Sequence, residues 1–102
     1  IDKLERLFQS MKLSVNPAFL AKLLRQIDYI AQDKPEAALK FYLDIEERIY
    51  QIPNHPFKHR QSIFSDDPNV RDLIFKGYVI TYRVLKDDAV IEVFSFYKYE
   101  NK

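Results

Sequence analysis

Val70-Arg71-Asp72-Leu73-Ile74-Phe75-Lys76-Gly77-Tyr78-Val79-Ile80-Thr81-Tyr82-Arg83-Val84 is the stretch that decides the fold. Its Val, Ile, Tyr, Phe and Thr fit a pleated, half-buried surface, and Lys76-Gly77 interrupts them with the chain's only glycine. A tight hairpin needs positive φ at its centre, which glycine supplies at no steric cost. The stretch therefore predicts antiparallel strands at 70–75 and 78–86. Beyond them, Lys86-Asp87-Asp88 makes a second reversal into a third strand, 89–97. In Tyr78–Leu85 both faces are substantially apolar. That predicts a central strand with helices on one side and something else, a partner included, over part of the other.

Upstream, the period of the apolar residues changes. Asn16-Pro17 is a helix start: Asn accepts a backbone hydrogen bond as the cap, and Pro fits the first helical position, where its missing N–H costs nothing. Phe19, Leu20, Leu23, Leu24, Ile27, Ile30 and Ala31 then recur at spacings of three and four, one apolar stripe running to about residue 32. Asp33-Lys34-Pro35 breaks this helix and starts another, in which Ala38, Phe41, Tyr42, Ile45, Ile49 and Ile52 keep the period. Pro53 and Pro56 end it. The loop from there to Gln61 collects His55, Lys58, His59 and Arg60 with no acid among them. Short strands are expected at Lys12–Val15 and near 60–64. The predicted architecture is α+β: a short N-terminal strand and an antiparallel two-helix hairpin packed on one face of a twisted, mainly antiparallel sheet of four to five strands.

At 102 residues, 47% of them hydrophobic, the chain suits one core and not two. Residues 11–102 are expected to be that single domain, with Met11 at the natural start. Residues 1–10, where Leu4, Leu7 and Phe8 share a helical face, are left as an extension: an extra helix, a remnant of expression, or a fragment of a partner. Sixteen basic and 15 acidic side chains leave a formal charge of +1, so any basic site must be local. The absence of cysteine removes disulfides and thiolate chemistry, and two histidines cannot close a metal site unaided. No apolar run approaches the roughly 20 residues that span a bilayer. The expectation is a cytoplasmic protein with no metal, cofactor, small-molecule ligand or membrane contact.

The order of elements resembles that of the RelE/ParE toxins. Lys34-Pro35-Glu36-Ala37-Ala38-Leu39-Lys40-Phe41 looks like that family's opening to the second helix, and Gln51-Ile52-Pro53-Asn54-His55-Pro56 like the segment leading out of it. Val70–Val84, with Arg71, Gly77-Tyr78 and Tyr82-Arg83-Val84 in order, is similar to the family's strand-turn-strand core. The resemblance covers about residues 12 to 97. It implies the toxin of a bacterial type II toxin–antitoxin pair, silenced by a cognate antitoxin that wraps it. RelE-like members cut messenger RNA on the ribosome, and ParE-like members poison DNA gyrase, so fold alone does not choose the target. The strand-turn-strand match is closer to ParE-like chains, and gyrase is the expected target, with ribosome-dependent RNA cleavage as the alternative. A non-catalytic binding module of the same fold is a third reading.

Cutting RNA through its 2′-hydroxyl needs a base, cations to hold the phosphate, and an acid for the leaving oxygen. His59 is a candidate base or acid because its ordinary pKa lies near 6.5. Lys98 falls near the position where RNA-cutting relatives carry Arg, and Tyr97 is a candidate proton donor. Arg60, Arg71, Arg83 and Tyr99 are the candidate substrate-binding residues. Each has a plainer reading: His59 and Arg60 as solvated loop residues, and Arg71 and Arg83 lying on the sheet or paired with Asp72 or Glu92. Lys98 is a point charge without the planar fork of Arg, and Leu73-Ile74-Phe75 offers no Arg before Gly77. Both facts weigh against RNA cleavage. Tyr42, Tyr50, Phe57, Phe75, Tyr97 and Tyr99 are expected to supply both core and a partner surface.

Overall fold

The computed structural model describes residues 11–99, and the helical reading of Leu4, Leu7 and Phe8 lies outside them. Strand β1 is Lys12–Val15, followed by helices α1 (Pro17–Ala31) and α2 (Pro35–Tyr50) and a single 3₁₀ turn at Ile52–Asn54. Then come β2 (Arg60–Gln61), β3 (Val70–Phe75), β4 (Tyr78–Leu85) and β5 (Val90–Lys98). The five strands form one sheet in the order β1-β5-β4-β3-β2. All pairings are antiparallel except β1 on β5, so the α+β architecture is as the sequence predicts.

Local chemistry sets the element ends. The Asn16 side chain accepts from the Ala18 N–H at 2.8 Å, and Pro17 takes the first turn of α1. Pro35 likewise opens α2. Phe75 pairs with Tyr78 across a two-residue turn in which Lys76 and Gly77 have φ of 48° and 85°, the double-positive geometry of a type I′ hairpin. Asn69 holds the far end of this hairpin, where its carbonyl accepts from the Val84 N–H.

The core lies between the helix hairpin and one face of the sheet. Phe19 and Leu23 of α1 and Phe41, Ile45 and Ile49 of α2 meet Leu73, Phe75, Ile80, Tyr82, Val84, Ile91, Val93 and Phe96. Aromatic rings tie the layers: Phe19 stands edge-on to Phe96, Phe41 edge-on to Tyr78, and Tyr78 is stacked on Phe96 at 5.1 Å. Such pairs add about 0.5–1.5 kcal/mol each beyond their buried area. Ile52 is fully buried but sits in the 3₁₀ turn, so α2 stops two residues before its apolar period does.

Three expectations are corrected. Leu20 and Leu24 fall on the predicted stripe of α1 yet are nearly half exposed, because the sheet accepts only the Phe19–Leu23 edge of that stripe. Phe75 is core, not surface: it lies 5.9 Å from Phe41, with the Arg48 guanidinium over its ring. The strand expected over 60–64 ends at Gln61. Beyond it Ser62, Ser65 and Asp67 turn their side chains onto the backbone N–H groups of Phe64, Asp67 and Asn69, which draws the segment out of the ladder and into turns.

One irregularity governs the far face. Between Thr81 and Tyr82 the pairing with β5 slips, Thr81 lying opposite Ser95 and Tyr82 opposite Val93, so Phe94 is an extra residue in a bulge. A slip of one residue exchanges the faces of everything beyond it. Phe96 thereby enters the core and Tyr97 turns to the opposite side.

Candidate functional site

No helix covers the second face of the sheet, yet its middle is buried. Val70, Asp72, Val79 and Thr81 are all 5% exposed or less. Around them Ser62, Phe64, Ser65, Val70, Thr81, Arg83, Phe94, Ser95 and Tyr97 line a recess of about 250 Å³. The turn-rich segment 62–69 closes one side, with the Phe64 ring 5.9 Å from that of Tyr97. Ile63, Phe64 and Ile74 remain exposed there. The expected cover of this face is therefore partly the chain's own loop.

An acid occupies the centre. The Asp72 carboxylate accepts from the Thr81 hydroxyl at 2.9 Å and from the Arg60 guanidinium at 3.3 Å, with no solvent exposure of its side chain. Register puts Arg60 directly opposite Asp72. This corrects the expectation that Arg71 or Arg83 pairs with Asp72: Arg71 is its chain neighbour and so points to the other face, while Arg83 lies opposite Val70. The Arg83–Glu92 pair is found, at 3.5 Å, with the guanidinium also over the Phe94 ring.

Arg71 is a clamp between loops. Its Nε donates to the Pro68 carbonyl at 2.8 Å and its Nη1 to the His59 carbonyl at 3.0 Å, and its guanidinium lies over the Phe57 ring. Of the candidate substrate-binding residues, Arg60 and Arg83 are thus paired with carboxylates, and Arg71 is bound to backbone carbonyls. Tyr99 is half exposed, its N–H donating to the Gly77 carbonyl at 2.7 Å.

Of the three residues proposed for RNA cleavage, His59 is kept apart from Tyr97 and Lys98, which line one groove. His59 precedes the edge strand β2 and packs edge-on against Tyr82, on the helix side. Lys98 ends β5, across β3 and β4 from there, a backbone separation on the order of 14 Å at the usual strand spacing. It lines a groove with Lys22 and Arg25 of α1. Tyr97 packs against Phe64 on the open face and also borders the groove that Lys98 lines.

Two titrations follow from this placement. Burial pushes the His59 imidazole below its ordinary pKa, and the nearby Lys58 and Arg48 charges push it the same way. The folded state therefore resists a proton that the unfolded chain takes up near pH 6.5. Stability should fall as pH drops through that value and level off below the folded pKa. Denaturant melts at several pH values should show a shallower acid-side loss in His59→Gln; an unchanged slope would contradict the burial argument. Burial also pushes the Tyr97 phenol up, with the Asp72 charge acting in the same direction. Its hydroxyl is buried and has no hydrogen-bond partner among the described residues. Removing an unpaired polar group costs nothing in lost hydrogen bonds. Tyr97→Phe should leave the melting temperature unchanged or raise it, and a drop of several degrees would reveal a bond that this geometry lacks.

The sequence profile described as ParE toxin of type II toxin-antitoxin system, parDE, matches residues 13–100. The chain belongs to this ParE toxin family. Solved structures agree on the fold. The chromosomal ParDE system of P. aeruginosa aligns with a TM-score of 0.73 at 23% identity, over 89% of this chain and 98% of that one. The isolated RelE toxin of E. coli aligns with a TM-score of 0.63 at 14% identity, over 91% and 88%. A RelE mutant in complex with a RelB antitoxin peptide aligns with a TM-score of 0.64 at 15% identity, over 91% and 87%. Among curated proteins, none matches. The chain is thus a toxin of the type II toxin–antitoxin class, and it shares its fold with RelE.

Sequence reasoning missed Phe64, Ile63 and Tyr29, which rank among the most exposed large side chains of this ParE family member. For the first two a signal existed: Ser62, Ser65 and Asp66-Asp67-Pro68 form a turn cluster that argues against a strand. Tyr29 carried none, since its position off the apolar stripe of α1 is that of any surface residue. Among the described residues no helix is long and apolar enough to cross a membrane.

Proposed function

We propose that this ParE family member arrests growth in the bacterial cytoplasm by binding DNA gyrase, and that a cognate antitoxin neutralises it. The observation that carries this reading is the state of the open face. Its centre is a buried carboxylate, and Arg60 and Arg83 on that face are already paired with Asp72 and Glu92. A phosphate approaching that centre would meet Asp72 and would have to break an ion pair to find a cation. Of the residues that a ribonuclease mechanism would use, His59 lies against Tyr82, apart from Lys98 and Tyr97. What the face offers instead is exposed Ile63, Phe64 and Ile74 around a centre whose carboxylate is already paired, a surface suited to protein contact.

Expression of the chain should stop growth, and co-expression with the product of the neighbouring gene should restore it. Normal growth with soluble, folded protein would remove the toxin reading for this copy. His59→Ala and Lys98→Ala should both retain the arrest; loss of arrest in either, with the fold intact, would return the ribosome and its mRNA as the target.

A further inference from the structure

The acid-free loop that carries His55, Lys58 and His59 has no part in the open face. It folds back on the C-terminal end of α2, and Arg48, Gln51, Asn54, His55, Lys58 and His59 together line a recess of about 250 Å³. Two permanent cations, two imidazoles and two amides face it, and no carboxylate lines it. Among the described residues neither Arg48 nor Lys58 has a salt-bridge partner. Both bear on His59 strongly enough to help hold its imidazole neutral. Side chains of one sign crowded into one concavity repel each other, and an arrangement of this kind is relieved by a counter-charge.

We propose that this recess binds a phosphate group, carried by a free nucleotide or by a nucleic-acid strand crossing the end of the helix hairpin. Size agrees. The recess is smaller than the roughly 300–1,000 Å³ of sites that enclose a whole drug-sized ligand, and suits one or two phosphates whose remaining atoms stay outside. Chemistry agrees as well. The Arg48 stem is steadied by its guanidinium's seat over the Phe75 ring, 5.6 Å from the centroid, and a planar fork of donors matches phosphate oxygens. Lys58 adds a point charge, the Asn54 amide supplies a neutral donor while that of Gln51 already donates to the Glu47 carboxylate at 3.5 Å, and an imidazole that gains a proton becomes a further donor. The C-terminal dipole of α2 opposes an anion, but by a fraction of a charge. Its last turn is also partly covered, since the Gln51 N–H bonds the Glu47 and Ile49 carbonyls. Two full positive charges outweigh what is left.

Inorganic pyrophosphate is the simplest probe, and the histidine ring signals of the full chain in NMR are the readout. At about 0.15 M salt, pyrophosphate should shift the His59 and His55 signals saturably in the millimolar range or below. It should also raise the pKa of His59, because the bound anion favours the imidazolium. Arg48→Gln and Lys58→Gln should each weaken binding by about tenfold or more, as expected for loss of a charge-assisted hydrogen bond. Arg48 also covers Phe75, so Lys58→Gln, on an exposed loop residue, keeps the test clear of any loss of fold. A nucleoside diphosphate and a short single-stranded DNA separate the two sources: the source is the one that binds tighter than pyrophosphate. Absent shifts, or shifts equal in wild type and both variants, would overturn the proposal. Neither result bears on gyrase.

Discussion

Tyr82→Ala should destabilise the domain by roughly 3–5 kcal/mol, the usual cost of removing a large buried aromatic. Tyr82 lies in the central strand with no solvent exposure and contributes to the core between sheet and helices. Its hydroxyl donates to the Pro56 carbonyl at 2.6 Å, and its ring supports His59 edge-on. Burial pushes the phenol far up from its ordinary pKa, so it remains a donor at any working pH. One side chain thus fills the core and anchors the 56–59 loop. For a domain of this size each kcal/mol moves the melting temperature by about 4–8 °C, and the drop should be roughly 15 °C or more. Tyr82→Phe separates the two roles. It keeps the packing and leaves the Pro56 carbonyl unpaired, at a cost of about 1–3 kcal/mol. Equal losses in the two variants would mean that the hydroxyl, and not the ring, dominates.

The Arg60–Asp72–Thr81 network should respond asymmetrically to its two ends. Asp72 is wholly buried, while the Arg60 side chain is 41% exposed. Arg60→Met leaves the carboxylate in a low-dielectric site with the Thr81 hydroxyl as its remaining side-chain donor. Stranding a buried charge in this way costs about 3 kcal/mol or more. Asp72→Asn removes the charge, keeps an acceptor for Thr81, and leaves an arginine that reaches water, so its cost should be on the order of 1 kcal/mol. Denaturant melts of both variants measure the difference. If Asp72→Asn proves the more damaging, the ion pair contributes more to stability than the desolvation of the acid takes away. The double variant should then recover little, whereas the present geometry has Asp72→Asn partly rescuing Arg60→Met.

These two networks mark the limit of what the sequence makes legible. Helix starts at Asn16-Pro17 and Pro35, the turn at Lys76-Gly77 and the antiparallel meander rest on local chemistry, and each is readable within a few residues. The resemblance to RelE/ParE toxins added the family, which the profile match bears out. What was not readable depends on residues far apart in the chain. Asp72 finds Arg60 because a two-residue edge strand sets their register, and no pattern in either segment announces that strand. The bulge at Phe94 is hidden because Phe96-Tyr97 offers an aromatic to both faces, so a slip of one residue still leaves an aromatic for the core. That slip decides which side Tyr97 faces. Leu20 and Leu24 show the converse. Periodicity marks a stripe, but only tertiary packing decides how much of its width the sheet covers.

The most direct test compares purified wild type with the His59→Ala/Lys98→Ala double variant in two assays, gyrase supercoiling and ribosome-dependent mRNA cleavage. Both proteins should suppress supercoiling, and neither should cut mRNA, because the action proposed here uses a binding surface and not those two side chains. Codon-spaced cuts by the wild type that vanish in the double variant, with supercoiling untouched, would contradict it.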